Sequence, residues 1–218
     1  MNFKNITSIL FLVFITSGYA NSSSGKDLIT GTVLTLDDVQ FDKGTGTITD
    51  YIPRYNNIII PDNFEGIPVT TIGPKAFYKN ALTKVIIPNS VTTIGKEAFY
   101  RNFLTSVIIP DSVIMIGFYA FYDNKLTEVV FPNSLIKIKK GAFYNNALNR
   151  LILPDSISDI GDSAFRSNDL TSLTLPSGIT TLKFAVFLEN SLTSVIIPNS
   201  VNTIERLAFD PKVIITRN

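Results

Sequence analysis

The chain lacks cysteine, histidine and tryptophan altogether among its 218 residues. Without cysteine there are no disulfides, and without cysteine or histidine there are no zinc sites of the usual kind. Nucleophilic dyads and triads that depend on Cys or His are excluded for the same reason. A hydrolase built on carboxylates alone remains open on residue types. Phosphate-cradling loops of the GxxxxGK or GxGxxG kind are missing too, and Gly44–Thr45–Gly46 fits a hairpin turn better than a phosphate site. Charge is scarce, at 17% of residues against 45% apolar, which excludes a disordered or highly charged tail. No cofactor and no metal is implied.

What is present begins with the N-terminus. Lys4 precedes a short apolar run, Ile9 to Thr16, and the chain then reaches Gly18-Tyr19-Ala20. This is the pattern of a secretory signal cut after Ala20. A membrane anchor is the competing reading, but the run is short of the roughly 20 residues that span a bilayer. Lys4 is the only charge lost with the signal, so the mature chain carries equal numbers of basic and acidic residues. A neutral chain has no electrostatic case for nucleic acid or for an anionic membrane, and no membrane insertion of the mature chain is expected. The expected location is secreted or at the cell surface. Asn21-Ser22-Ser23 is a glycosylation acceptor only where the source has that machinery.

The dominant feature is repetition. Phenylalanine recurs at Phe77, Phe99, Phe121, Phe143, Phe165, Phe187 and Phe209, always 22 residues apart. Proline keeps the same interval from Pro88 to Pro198, asparagine from Asn80 to Asn190, and leucine from Leu82 to Leu192. A period between 20 and 29 with this leucine spacing indicates a leucine-rich-repeat solenoid. In Leu82-Thr83-Lys84-Val85-Ile86-Ile87-Pro88, Val85 and Ile87 share one face of a strand. Pro88 cannot donate a ladder hydrogen bond and stops the strand there. Val91 and Ile94 return to the core, Gly95 turns the chain, and Lys96 to Tyr100 form a short helical or irregular turn. One coil cannot bury its own apolar face; stacking does so. The Asn column is expected to bond backbone groups of its own coil and the next, and the Phe column to form the core spine.

The stretches "LTSVIIPNSV", "TTIG" and "EAFYRN" resemble the BspA-like leucine-rich repeats of bacterial and protist surface proteins, from about Phe41 to Asn218. The resemblance implies a right-handed solenoid with a parallel sheet, secretion or surface display, and adhesion to proteins or cells. This chain departs from the pattern where Lys139, Lys183 and Glu205 replace the glycine, and where Arg166, Leu188 and Asp210 replace the tyrosine after Phe. The organisation expected is a signal at 1–20, a polar leader at 21–36, a cap with a hairpin at 37–68, and about seven coils at 69–218, the last truncated.

Candidate site residues follow from strand alternation. Between the two inward residues of each strand lie Ile86, Ile108, Val130, Ile152, Thr174 and Ile196, which point outward. Beside them run Lys84, Ser106, Glu128, Arg150, Ser172 and Ser194. An aliphatic stripe on an exposed sheet marks a contact surface, although β-propensity alone also places branched residues there. Lys84, Glu128 and Arg150 join the six stripe positions as candidate ligand-binding residues. Tyr78, Tyr100, Tyr122 and Tyr144 form a second stripe, read as packing against adjacent turns. Asp111 and Asp155 sit two coils apart, about 10 Å at a strand spacing of about 4.8 Å, which suits an inverting glycosidase; turn formation explains them better. The expected function is a secreted, non-enzymatic protein that binds an extracellular protein through its sheet, with a structural spacer as the alternative. At the C-terminus, Val213 to Thr216 can pair on Val195–Ile197 and leave an open edge. Such edges invite pairing, so weak end-to-end self-association is expected.

Overall fold

One coil shows how the repeat folds. Ser106–Ile108 is a strand; Val107 and Ile109 point into the core and Ile108 points out. Pro110 ends the strand, and its carbonyl accepts from Val113 N at 3.0 Å to close a tight turn. Met115–Ile116 forms a second, two-residue strand with Ile116 fully buried. A second turn over Phe118–Tyr122 then drives Ala120 and Phe121 into the core. The structure, a computed structural model, describes residues 31–217. The signal segment and most of the expected leader lie outside the described residues.

Stacking these units makes a β-solenoid with two columns of strands. The outer column runs through Thr32–Val33, Asn57–Ile59, Lys84–Ile86, Ser106–Ile108, Glu128–Val130, Arg150–Ile152, Ser172–Thr174, Ser194–Ile197 and Ile214–Arg217. Its ladder is hydrogen-bonded in four short parallel groups. The second column is more continuous: Thr47–Tyr51, Thr71–Ile72, Thr93–Ile94, Met115–Ile116, Lys137–Ile138 and Asp159–Ile160 form one parallel run. Thr181–Leu182 and Thr203–Ile204 complete it as a separate pair. The columns therefore begin before residue 69. Thr32–Val33 pairs in parallel with Asn57–Ile59, so the solenoid starts inside the segment read as a polar leader. Leu34 explains this, because it is buried and anchors the segment to the core. Val39–Asp42 lies antiparallel on Thr47–Tyr51 at the end of the second column.

Of the two forms expected for this turn, helical or irregular, the irregular one is found: the described residues contain no helix. The turn is instead built from left-handed residues in two rows. One row is Lys75, Glu97, Tyr119, Gly141, Ser163, Ala185 and Leu207; the other is Lys79, Arg101, Asp123, Asn145, Ser167 and Glu189. Each such non-glycine residue costs on the order of 1–3 kcal/mol. The return is a hydrogen-bonded third side. Glu97, Phe99 and Arg101 donate their N–H groups to the carbonyls of Phe118, Ala120 and Tyr122, each at 2.8 Å. A helix would spend those donors inside its own coil; the alternating turn aims them at the next. The first row holds one glycine, and a side chain there would displace a neighbouring ring. A Cβ at Gly141 would lie 2.3 Å from the Tyr119 ring.

The Phe column is the spine of the core. Neighbouring rings from Phe77 to Phe209 stack with centroids 5.1 to 5.8 Å apart. The Asn column seals the turns through its own coil, as expected, where Asn146, Asn168 and Asn190 Nδ2 donate to Phe143, Phe165 and Phe187 O, but its other bonds run to the preceding coil, not the next one. Asn124 Oδ1 accepts from Leu104 N at 3.2 Å, and its Nδ2 donates to Phe99 O at 2.9 Å. Asn102, Asn146, Asn168 and Asn190 repeat the pattern. The direction follows from chain geometry: the amide reaches back to the N–H and carbonyl that the previous turn leaves unpaired. Where the column ends, Asp210 takes over and accepts from Asn190 N at 3.1 Å. The final strand is Ile214–Arg217 on Ser194–Ile197, one residue later than expected, and Arg217 donates to Val201 O at 2.7 Å.

Candidate protein-binding face

The outer strand column presents its middle residue to solvent. Ile108, Val130, Ile152 and Ile196 are 61%, 48%, 55% and 59% exposed. Thr174 is exposed as well, while Ile86, at the N-terminal end of the row, is half-buried. Register places these side chains in one line, since Ile108 faces Val130 and Ile152 faces Thr174 across parallel pairs. Strand alternation is the cause: Val107, Leu151 and Val195 are buried on the other face. The six aliphatic and threonine positions are thus brought together as a single stripe.

The flanking column is polar and mixed in charge. Glu128 and Arg150 are exposed and Lys84 is half-buried. Among the described residues none of the three joins an ion pair, so their charges remain directed to solvent. Two open hollows lie at the N-terminal end, one around Leu34 and Phe64 and one around Thr32, Tyr55, Asn57 and Thr83, beside Lys84. Such a surface suits a broad contact better than an enclosed small molecule.

The tyrosine column packs on itself. Tyr78, Tyr100 and Tyr122 stack at 4.9 and 4.7 Å, and Tyr144 meets Tyr122 edge-on at 5.1 Å. Lys75 and Lys79 lie over Tyr78, Arg101 over Tyr100, and Arg166 over Tyr144. The expected packing against turns is therefore realised mostly as ring against ring. Partial burial pushes the Tyr100 and Tyr122 hydroxyls above their ordinary range, with neighbouring charges adding smaller effects.

The carboxylate pair finds a structural use. Asp155 is exposed, and its Oδ1 accepts from Ser177 N at 2.8 Å and from Ser177 Oγ at 2.9 Å. Those bonds, the backbone one first, hold its pKa below the usual carboxylate value. Asp111, in the same column, is an exposed turn residue. Asp155 thus ties one turn to the next.

The model of the BspA type leucine-rich repeat region matches residues 34–104 and 92–215, in 6 copies. The chain belongs to this family. Among solved structures, a leucine-rich repeat protein from Bacteroides ovatus is 27% identical with a TM-score of 0.64, covering 79% of this chain and 53% of that one. The present BspA-type chain thus spans about half the length of that structure. A leucine-rich repeat protein from T. pallidum is 24% identical, with a TM-score of 0.42 and coverage of 81% of this chain and 66% of that one. The pneumococcal vaccine antigen PcpA is 17% identical, with a TM-score of 0.48 and coverage of 78% and 66%. No curated protein matches the chain. A BspA-type repeat is a scaffold for binding or for structure. No helix among the described residues is long and apolar enough to cross a membrane.

Sequence reasoning passed over a second set of exposed apolar residues: Phe103, Ile114, Phe118 and Ile136. The signal was available by reading columns at the 22-residue interval. Ile114 and Ile136 interrupt a column otherwise made of Thr70, Thr92, Ser158, Thr180 and Asn202.

Proposed function

We propose that this protein is a secreted or surface-displayed binding protein that contacts another protein through its outer sheet and catalyses no reaction. The row of Ile108, Val130, Ile152 and Ile196, each about half exposed or more, is the observation that carries this reading. A soluble chain seldom keeps so long an aliphatic line in water without a partner to cover it. Glu128 and Arg150 at its margin supply charges that select among partners. The N-terminal segment with its Ala20 cut supports export, and the residue types required by thiol and imidazole catalysis are absent from the chain.

The test compares the mature chain with the double variant Ile108→Glu, Ile152→Glu on immobilised extracellular-matrix proteins and on whole cells. Binding by the parent chain that the variant loses, with an unchanged unfolding midpoint, is the expected result. Equal binding by both moves the contact off the outer sheet. Absence of binding by the parent chain favours the spacer reading.

A further inference from the structure

The second sheet carries an apolar cluster that the repeat does not call for. Ile114 and Ile136 are 51% and 43% exposed, and they are neighbours in adjacent coils, joined by Ile136 N donating to Ile114 O at 3.0 Å. Met115 follows Ile114 and is half-buried on the same flank. Phe118, four residues on, is 46% exposed. Ile114, Ile136 and Met115 break columns that are otherwise polar, while Phe118 shares its column with Pro74 and Phe184 as well as with Lys96, Lys140, Asp162 and Arg206. β-propensity accounts poorly for Ile114 and Ile136, because both precede the two-residue strands instead of lying in them, and for Phe118, which is in a turn.

Lysines surround the cluster. Backbone bonds from Glu97 N to Phe118 O and from Tyr119 N to Lys140 O set Lys96 and Lys140 on either side of Phe118. Lys137 pairs with Met115 across the sheet. The nearby acids are already engaged: Glu97 by Lys75 and Lys96, and Asp159 by Lys139 and Lys183. Asp162, next in the column after Lys140, is the other acid on this side. Among the described residues Lys137 and Lys140 form no ion pair, and both are exposed. The flank therefore offers an apolar centre beside two lysines, Lys137 and Lys140, that no carboxylate engages among the described residues.

We infer that this flank is a docking site for an acidic amphipathic segment of another protein, whose apolar side chains cover Ile114, Ile136 and Phe118 while its carboxylates meet Lys137 and Lys140. Charge complementarity selects acid over base. An anionic bilayer shares that charge, but interfacial binding draws on a broad apolar face with many basic residues, and this flank has three exposed apolar side chains and two unpaired lysines. The inference is independent of the outer stripe.

The probes are three fluorescent peptides with the same leucines and phenylalanines, carrying glutamates, glutamines or lysines at the polar positions, together with vesicles of phosphatidylglycerol and phosphatidylcholine. Anisotropy should show the glutamate peptide binding, with affinity falling about tenfold or more as salt shortens the screening length. Ile114→Thr with Ile136→Thr, which restores the column's own residue type, should abolish binding without moving the unfolding midpoint. Lys137→Gln with Lys140→Gln should weaken it about tenfold or more and flatten its salt dependence. Ile108→Glu with Ile152→Glu should leave it unchanged, which separates this site from the outer face. No binding of the glutamate peptide, equal binding of the lysine peptide, or co-sedimentation with vesicles in place of peptide binding would each overturn the inference.

Discussion

Two aromatic columns run through this molecule on the same 22-residue interval, and they behave differently. The phenylalanines continue through every coil from Phe77 to Phe209 and keep their rings parallel within 15°. The tyrosines stack only from Tyr78 to Tyr122; Tyr144 has already turned by 81°, and Arg166, Leu188 and Asp210 follow in its place. The Phe column is walled by other coils on all sides, so any other side chain leaves a cavity or a clash. A Tyr ring at the rim buries one face and wets its hydroxyl, and there a long arginine or leucine covers the same turn at little cost. Interior position enforces the period; rim position merely permits it.

The sharpest way to break this contrast is Phe121→Ala, which should destabilise by about 3–5 kcal/mol as a large-to-small core change. A shift in denaturant midpoint of that size, with the slope unchanged, is the expected outcome. Asn124→Ala comes next at about 2–4 kcal/mol, because Leu104 N and Phe99 O lose their partner inside the protein. Amide exchange at Leu104 should speed up in that variant. Gly117→Ala tests backbone packing: its Cβ would lie 2.6 Å from Gly95 C and 2.8 Å from Ile94 O. Backbone must move to admit it, at a cost of about 1–3 kcal/mol. Tyr122→Ala should cost about 1–2 kcal/mol, the worth of a half-buried ring and its stacking. A loss equal to that of Phe121→Ala would mean that the rim is core after all.

The smallest effect expected is in alkali. Tyr100 and Tyr122 ionise above the ordinary value of 10.0. In the window between that value and their folded pKa values, the folded state holds protons that the unfolded state has released. Stability contributed by the ladder is therefore full below pH 10 and declines as pH rises through the window. Phenolate absorbance should show these two groups titrating above that ordinary value, with a falling unfolding midpoint over the same range.

Much of the fold was legible because buried columns tolerate few residue types. Phe121, Leu126, Pro132 and Asn146 announce their roles by recurrence, and strand alternation placed Ile108 and Ile152 in solvent. The left-handed rows were not legible. Their members include Glu97, Arg101 and Tyr119, residues with no preference for that conformation, and only the hydrogen bonds to the next coil impose it. The first strand escaped for a related reason: Thr32–Val33 stands alone in a polar stretch, and its partner Asn57–Ile59 lies beyond the hairpin insertion. Ile114 and Ile136 were overlooked because each is an ordinary residue in its own coil and becomes unusual only against the column.

The amino-acid sequence by itself determined the period, the core spine, the asparagine seal and the outward stripe, since each needs only local chain geometry and the exclusion of water from apolar groups. Tertiary structure alone decided the turn conformation, the direction in which each asparagine reaches and the grouping of Ile114, Ile136 and Phe118 within a rim of lysines. Those depend on which carbonyl, ring or charge the neighbouring coil sets opposite, and that is a property of the stack, not of any one repeat.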